Sequence, residues 1–178
     1  MTSALFFVLV AAVARPPESP AAREQARLCE KLTGLESLAA CRRAIEIGLG
    51  AERLPPVRQI IARRLASLER WADLAEHLRG DVALHPEDAM ARLRLGSTLL
   101  FALGRPADAS IELAEAVRLA PDSATARGVL AVAQGQSGRP QEAALEFEAA
   151  LRNDEHLLDH RPAMRAAYKA ARMGQAWP

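Results

Sequence analysis

Two stretches of the chain repeat one pattern. LGSTLLFALGRPADASIELAEAVRLAPDS begins at Leu95, and VLAVAQGQSGRPQEAALEFEAALRNDE begins at Val129. The tripeptide Gly-Arg-Pro starts at Gly104 in the first stretch and 34 residues later, at Gly138, in the second. Other matches at the same interval are Ala109 with Ala143, Leu113 with Phe147, and Ala116 with Ala150. Self-similarity at a period of about 20–50 residues is typical of a solenoid of stacked units.

Each copy predicts a helix, a turn and a second helix. Gly104 and Gly138 are expected to close the first helices, because glycine adopts the left-handed conformation at least cost. Pro106 and Pro140 would begin the second helices, where a missing N–H is tolerated. Ser123 offers a cap to the helix that follows it. The small residues of the second helices would let neighbouring helices approach closely.

These residues resemble the tetratricopeptide repeat, a family with glycine at the turn, alanine at two positions of the second helix and proline near the end of the unit. Two positions depart from the family pattern. Leu100 and Gln134 stand where its first helix carries an aromatic residue, and the terminal proline of the second copy is replaced near Glu155. The resemblance implies an all-α fold in which antiparallel helical hairpins stack as a short right-handed solenoid.

Weaker copies of the pattern extend over most of the chain. Helices are expected at 56–68 and 71–84, although Leu74 stands where the family prefers alanine. The predicted segments are a Pro-rich linker at 15–20, a hairpin at 21–49, a degenerate repeat at 56–88, repeats at 90–123 and 124–155, and a capping helix at 162–174. Together they predict one helical-repeat domain over 21–178.

The N-terminus carries an uncharged apolar run. Residues 4–14 read ALFFVLVAAVA, which is shorter than the about 20 residues that span a membrane. The length fits the apolar core of a signal peptide, and Ala12-Val13-Ala14 has the small-x-small cleavage pattern. We therefore predict a bacterial periplasmic or secreted protein, cleaved after Ala14. The alternative is an N-terminal helix that docks on the fold, or a short uncleaved anchor.

The two cysteines, Cys29 and Cys41, flank the predicted turn at Thr33-Gly34, where a glycine would end the first helix. In an antiparallel hairpin, residues equidistant from the turn face one another. The spacing therefore predicts a disulfide in an oxidising compartment. In the cytosol the same pair would be two small reduced core residues.

The family resemblance implies a concave groove, lined by the first helix of each repeat, that holds a peptide or another protein. By motif, the partner-binding positions are Gln59, Arg63, Arg94, Thr98, Phe101, Val132, Gln136 and Tyr168, with Arg172 near the same line. Arg63 and Arg94 would contact a partner carboxylate. Phe101 and Tyr168 would supply apolar contact area.

The sequence points away from catalysis and cofactors. No phosphate-binding, dinucleotide-binding, zinc-protease or nucleophile-elbow motif is present in the sequence. The net charge of +1 indicates no nucleic-acid partner. His156 and His160 could share a metal if they lay on one helix, but Pro162 and the surrounding charges favour a connection between helices. Hence we expect no enzyme, no metal and no cofactor.

The leading hypothesis from the sequence is a protein-binding adaptor or assembly scaffold in the bacterial envelope. The alternative is a structural repeat protein that associates with itself as a homodimer, because an alanine-rich repeat with an apolar groove could pack on its own copy. A metal- or ligand-binding protein that uses the region of His156 and His160 ranks third.

Overall fold

The computed structural model describes residues 18–159 and 161–176. All regular structure in these ranges is helical, which confirms the predicted all-α class of stacked hairpins. The helices are α1 (Pro20–Lys31), α2 (Gly34–Ile47), α3 (Leu54–Ser67), α4 (Trp71–Leu84), α5 (Ala89–Ser97), α6 (Pro106–Leu119), α7 (Ala124–Gln136), α8 (Pro140–Asn153) and α9 (Pro162–Arg172). A π-helical turn, Thr98–Ala102, continues α5. The apolar run at 4–14 lies outside the described residues.

The described chain forms two compact units that divide between Arg64 and Leu65. Within these ranges, no helix has both the length and the apolarity that a membrane crossing requires.

The first compact unit is built on the hairpin of α1 and α2. The predicted disulfide between Cys29 and Cys41 is present and fully buried, with 4.7 Å between the two Cα atoms. Ser37 Oγ donates a hydrogen bond to the Cys29 carbonyl at 2.7 Å, and Arg64 Nε donates to Ser37 Oγ at 3.2 Å. These hydrogen bonds tie α2 to α1 and α3 beside the disulfide. Gly34, which the sequence assigned to the end of the first helix, instead begins α2.

In the second compact unit each helix packs on the next from α4 to α9, and α7 also contacts α9. This is the pattern of consecutive hairpins, because a helix meets its own partner and the neighbouring pair. Gly96 permits the close approach of α5 to α6: an added Cβ would lie 2.6 Å from Leu113 Cγ. The largest fully buried side chains of this unit are Phe147, Leu65, Leu95 and Leu113.

Two first helices in this unit, α5 with its π-helical turn and α7, are followed by a left-handed glycine. Gly104 has φ +59° and Gly138 has φ +76°, as the repeat predicts. The same place after α3 is taken by Glu69, the one non-glycine residue with positive φ (54°) in the described chain. The Arg70 and Arg139 amides each donate to the carbonyl five residues back, which is the hydrogen bond of a Schellman turn.

A cross-helix ion pair recurs in both repeats. Arg92 Nη1 on α5 lies 3.0 Å from Glu112 Oε2 on α6, and Arg127 Nη1 on α7 lies 2.8 Å from Glu146 Oε2 on α8. Both arginines also donate from Nε to the carbonyl of the proline six residues before them. The two hairpins therefore share one packing arrangement at this level, although the arginines are 35 residues apart and the glutamates 34.

The π-helical turn accounts for that difference of one residue. The chain advances 16 positions from the N-cap Asp88 to Gly104, but 15 from the N-cap Ser123 to Gly138. The Leu103 amide donates to the Thr98 carbonyl, five residues back, at 3.2 Å. A single widened turn thus holds the extra residue, while both flanks of the helix keep their packing.

Candidate functional site

The second compact unit has an open cavity of about 450 Å³ at the π-helical turn. Its lining residues are Trp71, Ser97, Thr98, Phe101 and Ala102. Four of them come from the end of α5 and its π-helical turn, and Trp71 is the first residue of α4. Phe101 is 63% exposed, an unusual state for a phenylalanine that borders a concave surface. We call this set the aromatic cavity.

Local structure fixes Trp71 at the edge of the aromatic cavity. The Schellman turn at Glu69 and Arg70 reverses the chain, and the Trp71 amide donates to the Glu69 carbonyl at 2.9 Å. Arg70 forms an ion pair with Asp73, one turn into α4. Equivalent pairs stand at the start of α6, where Arg105 Nε lies 2.7 Å from Asp108, and of α8, where Arg139 lies 3.1 Å from Glu142.

Two of the predicted groove residues, Thr98 and Phe101, meet in the aromatic cavity. Arg94 lies one turn before Thr98 on α5, and its carbonyl accepts a hydrogen bond from Thr98 Oγ1 at 2.9 Å. Arg94 is exposed. Among the described residues it has no ion-pair partner, whereas Arg70 and Arg105 are both paired. One unpaired guanidinium therefore stands beside an apolar cavity.

The other predicted groove residues lie elsewhere. Gln59 and Arg63 are exposed on α3, in the first compact unit. Gln136 is half-buried in the last turn of α7, and Val132 is only 5% exposed, so Val132 belongs to the core. Tyr168 on α9 packs against Phe147, with 5.4 Å between ring centroids, and Arg172 lies over its ring at 5.8 Å.

Trp71 is the site residue that motif transfer missed. Its signal is present in the sequence as Arg70-Trp71-Ala72-Asp73, a third copy of the Arg-Pro-x-acid pattern at the start of α6 and α8. Tryptophan replaces proline in that copy. Glu69 also replaces the glycine, so this third copy lacks the Gly-Arg-Pro tripeptide that marks the other two.

No metal centre is found in the part of the chain that the structure describes. His156 Nδ1 lies 2.9 Å from Asp159 Oδ2 in the connection between α8 and α9. The predicted partner of His156 in a metal site, His160, lies outside the described residues. On the surface of α6, a hydrogen bond from Arg118 lowers the pKa of Glu115, and the same contact raises the pKa of Arg118. That pair takes no part in the aromatic cavity.

Solved structures of MamA resemble this chain. A MamA point mutant superposes with a TM-score of 0.59 at 19% identity, covering 75% of this chain and 76% of that one. MamA MSR-1 gives a TM-score of 0.59 at 20% identity, over 76% of each chain. No protein-family model and no curated protein matches the sequence. MamA is a TPR-like protein, so the likeness shows that the chain has a tetratricopeptide-like fold.

Proposed function

We propose that the chain is a non-catalytic protein-interaction module that acts as an adaptor or assembly scaffold. The observation that carries this proposal is the aromatic cavity, where Phe101 is 63% exposed beside Trp71 and the unpaired Arg94. Aromatic and arginine side chains dominate the energetics of protein interfaces. A stack of helical hairpins supplies the rigid surface on which such side chains are held.

We further propose that the protein is exported to the bacterial envelope. The buried disulfide between Cys29 and Cys41 supports this location, because structural disulfides persist in oxidising compartments. The apolar run at residues 4–14 supplies the export signal. Sequencing the N-terminus of protein from a periplasmic extract tests the proposal: a mature chain that begins at Arg15 supports it, and recovery of the intact chain from the cytoplasm alone contradicts it.

Cross-linking in intact cells, followed by mass spectrometry, tests the interaction proposal. Wild type is compared with an Arg94→Glu, Phe101→Ala double variant whose helical content has been verified. Met90→Ala is the matched control, because Met90 is 54% exposed on α5, outside the aromatic cavity. We expect one envelope protein to be captured by wild type and control but not by the double variant. Capture that persists in the double variant would place the binding surface elsewhere.

Self-association is the second candidate function. Ile111 on α6 and Leu145 on α8 occupy the same position in the two repeats and are 69% and 67% exposed. A repeated apolar side chain on successive helices could meet its own copy across a two-fold axis. The mass of the protein in solution decides: a dimer that dissociates in an Ile111→Arg, Leu145→Arg variant would support self-association, and a monomeric wild type would reject it.

A further inference from the structure

The two repeats differ most where α5 carries its π-helical turn. In α7, which lacks the extra residue, an unbroken run of residues from Gly128 to Gly135 is buried. In α5 and its π-helical turn, the run is interrupted: Leu99 and Leu100 are buried, but Thr98 is half-exposed and Phe101 points into solvent. Counted back from the turn glycines, Phe101 corresponds to the buried Gly135. Only the repeat with the extra residue therefore presents an aromatic side chain to solvent at this position.

The flanks of the turn are held in place by equivalent contacts in the two hairpins. Before the turn, the Arg92–Glu112 ion pair matches Arg127–Glu146. After the turn, both first helices end in a left-handed glycine. The wider turn also changes the closing hydrogen bond, since the Arg105 amide reaches back six residues to the Leu99 carbonyl at 2.8 Å. The extra residue therefore changes only the segment that lines the aromatic cavity.

We infer that the π-helical turn is the specificity element of the proposed binding site. It exposes Phe101 beside Trp71 and so forms a receptor for one bulky apolar side chain of a partner peptide. A carboxylate next to that side chain pairs with Arg94, an exposed cation that has no ion-pair partner among residues 18–159 and 161–176. The occupant is a peptide segment of another protein with an apolar residue flanked by Asp or Glu. This inference rests on the proposed interaction function.

Charge and size support this occupant. Arg70 precedes Trp71 and Arg105 follows the π-helical turn, and both are already paired, with Asp73 and Asp108. Of these three arginines Arg94 alone has no ion-pair partner among the described residues, and a guanidinium binds a carboxylate through two parallel hydrogen bonds. A cavity of about 450 Å³ open to solvent accepts a side chain and part of its backbone. Affinity would come from the apolar anchor and selectivity from the adjacent carboxylate.

Deletion of Thr98 tests the role of the turn. Removal of Thr98 keeps Leu95 and Gly96 in register with Leu130 and Ala131 of the second repeat. The buried pair Leu99 and Leu100 then aligns with Ala133 and Gln134 without an extra residue between the two pairs. The helix should then run without a π-turn and withdraw Phe101 from solvent. Phe101→Ala is the second variant: it changes an exposed side chain, so it folds even if the deletion does not. Met90→Ala is the control, because Met90 is 54% exposed on α5 and does not line the aromatic cavity.

The probe is a library of short random peptides displayed on phage and selected against the full chain. Selected peptides are synthesised, and their dissociation constants are measured by fluorescence anisotropy. We expect the selected peptides to share an apolar residue beside Asp or Glu. Loss of a central aromatic contact should weaken binding at least about tenfold for the Thr98 deletion and for Phe101→Ala, but less than about twofold for Met90→Ala. Arg94→Gln should weaken only the peptides that carry the carboxylate.

Several results would overturn the inference. The first is a set of selected peptides that bind Phe101→Ala as tightly as wild type, and the second is a selection that shows no apolar residue beside Asp or Glu. The third is a homodimer that dissociates in Phe101→Ala, because a second copy of the chain would then be the occupant. The inference about this site can fail while the proposed interaction function stands. A partner captured in cells equally by wild type and Phe101→Ala would leave the interaction function standing while removing the aromatic cavity as its site.

Discussion

Replacing Glu69 by glycine should stabilise the protein. Glu69 has φ 54°, at the place where the other hairpins of the second compact unit have Gly104 and Gly138. A side chain in the left-handed region costs roughly 1–2 kcal/mol. The Glu69 side chain is exposed and makes no hydrogen bond or ion pair with any described residue, so its removal forfeits no contact. The backbone hydrogen bonds around the turn are kept.

The magnitude follows from two opposing effects. Relief of the left-handed strain is offset by about 0.4–1 kcal/mol, because glycine adds conformational freedom to the unfolded chain. The expected net gain in the free energy of unfolding is therefore about 0.5–1 kcal/mol. For a chain of this size that gain raises Tm by about 1–4 °C. Thermal unfolding followed by circular dichroism at 222 nm measures it.

Glu69→Ala is the matched control, because it removes the carboxylate and keeps the Cβ that causes the strain. We expect no comparable gain from alanine. If Glu69→Gly left Tm unchanged or lowered it, the strain argument would be wrong. If Glu69→Ala raised Tm as much as Glu69→Gly, the benefit would come from removing a charge and not from the backbone.

Three further substitutions test the packing. Replacing Cys29 and Cys41 together by alanine should lower the free energy of unfolding by roughly 2–3 kcal/mol, because the disulfide closes a loop of sequence separation 12. Reduction of the wild-type disulfide should also lower Tm. An unchanged Tm in both would contradict this. Gly96→Ala should lower the free energy of unfolding, measured by chemical denaturation, by roughly 1–3 kcal/mol, because the new Cβ meets Leu113. Gly50→Ala should lower it less, because an added Cβ there would lie 3.8 Å from its nearest neighbour. Equal losses from the two substitutions would refute the close-approach argument. Gln134→Leu should raise the free energy of unfolding by about 0.5–1 kcal/mol. It removes Gln134 Oε1, which is buried without a hydrogen-bond partner among the described residues, and it loses only the long 3.4 Å hydrogen bond from Gln134 Nε2 to Glu142, whose carboxylate keeps its ion pair with Arg139. A loss of stability would show that this oxygen is satisfied in solution.

The fold could be predicted from the sequence wherever the signal was local. Gly104, Gly138 and the prolines after them mark the turns directly, because each of these residues has one dominant backbone preference. The disulfide followed from the same logic, since equal spacing of Cys29 and Cys41 about a turn brings them together in a hairpin. The helical class and these particular contacts therefore needed no knowledge of long-range packing.

The candidate site was harder to predict because it depends on the register of one helix. The groove positions were assigned with the 34-residue spacing that separates the turn glycines. The N-caps of the two first helices, Asp88 and Ser123, are instead 35 residues apart. Comparison of both spacings would have revealed the extra residue, but not whether a bulge, a longer turn or a frayed end absorbed it. In the structure a π-helical turn absorbs it, with the Arg92–Glu112 ion pair before the turn and the left-handed Gly104 after it. Burial of Val132 was equally hard to predict, because it depends on how consecutive hairpins stack and not on a local motif.

Site-specific photo-cross-linking in cells tests whether a partner protein docks at the aromatic cavity. A photoreactive p-benzoylphenylalanine is placed at position 101 in one strain and at position 111 in another, both highly exposed apolar positions in the native chain. We expect one defined cross-linked product from position 101, absent from position 111 and competed by a peptide selected on the purified protein. Equal products from both positions, or products from position 111 alone, would contradict the claim.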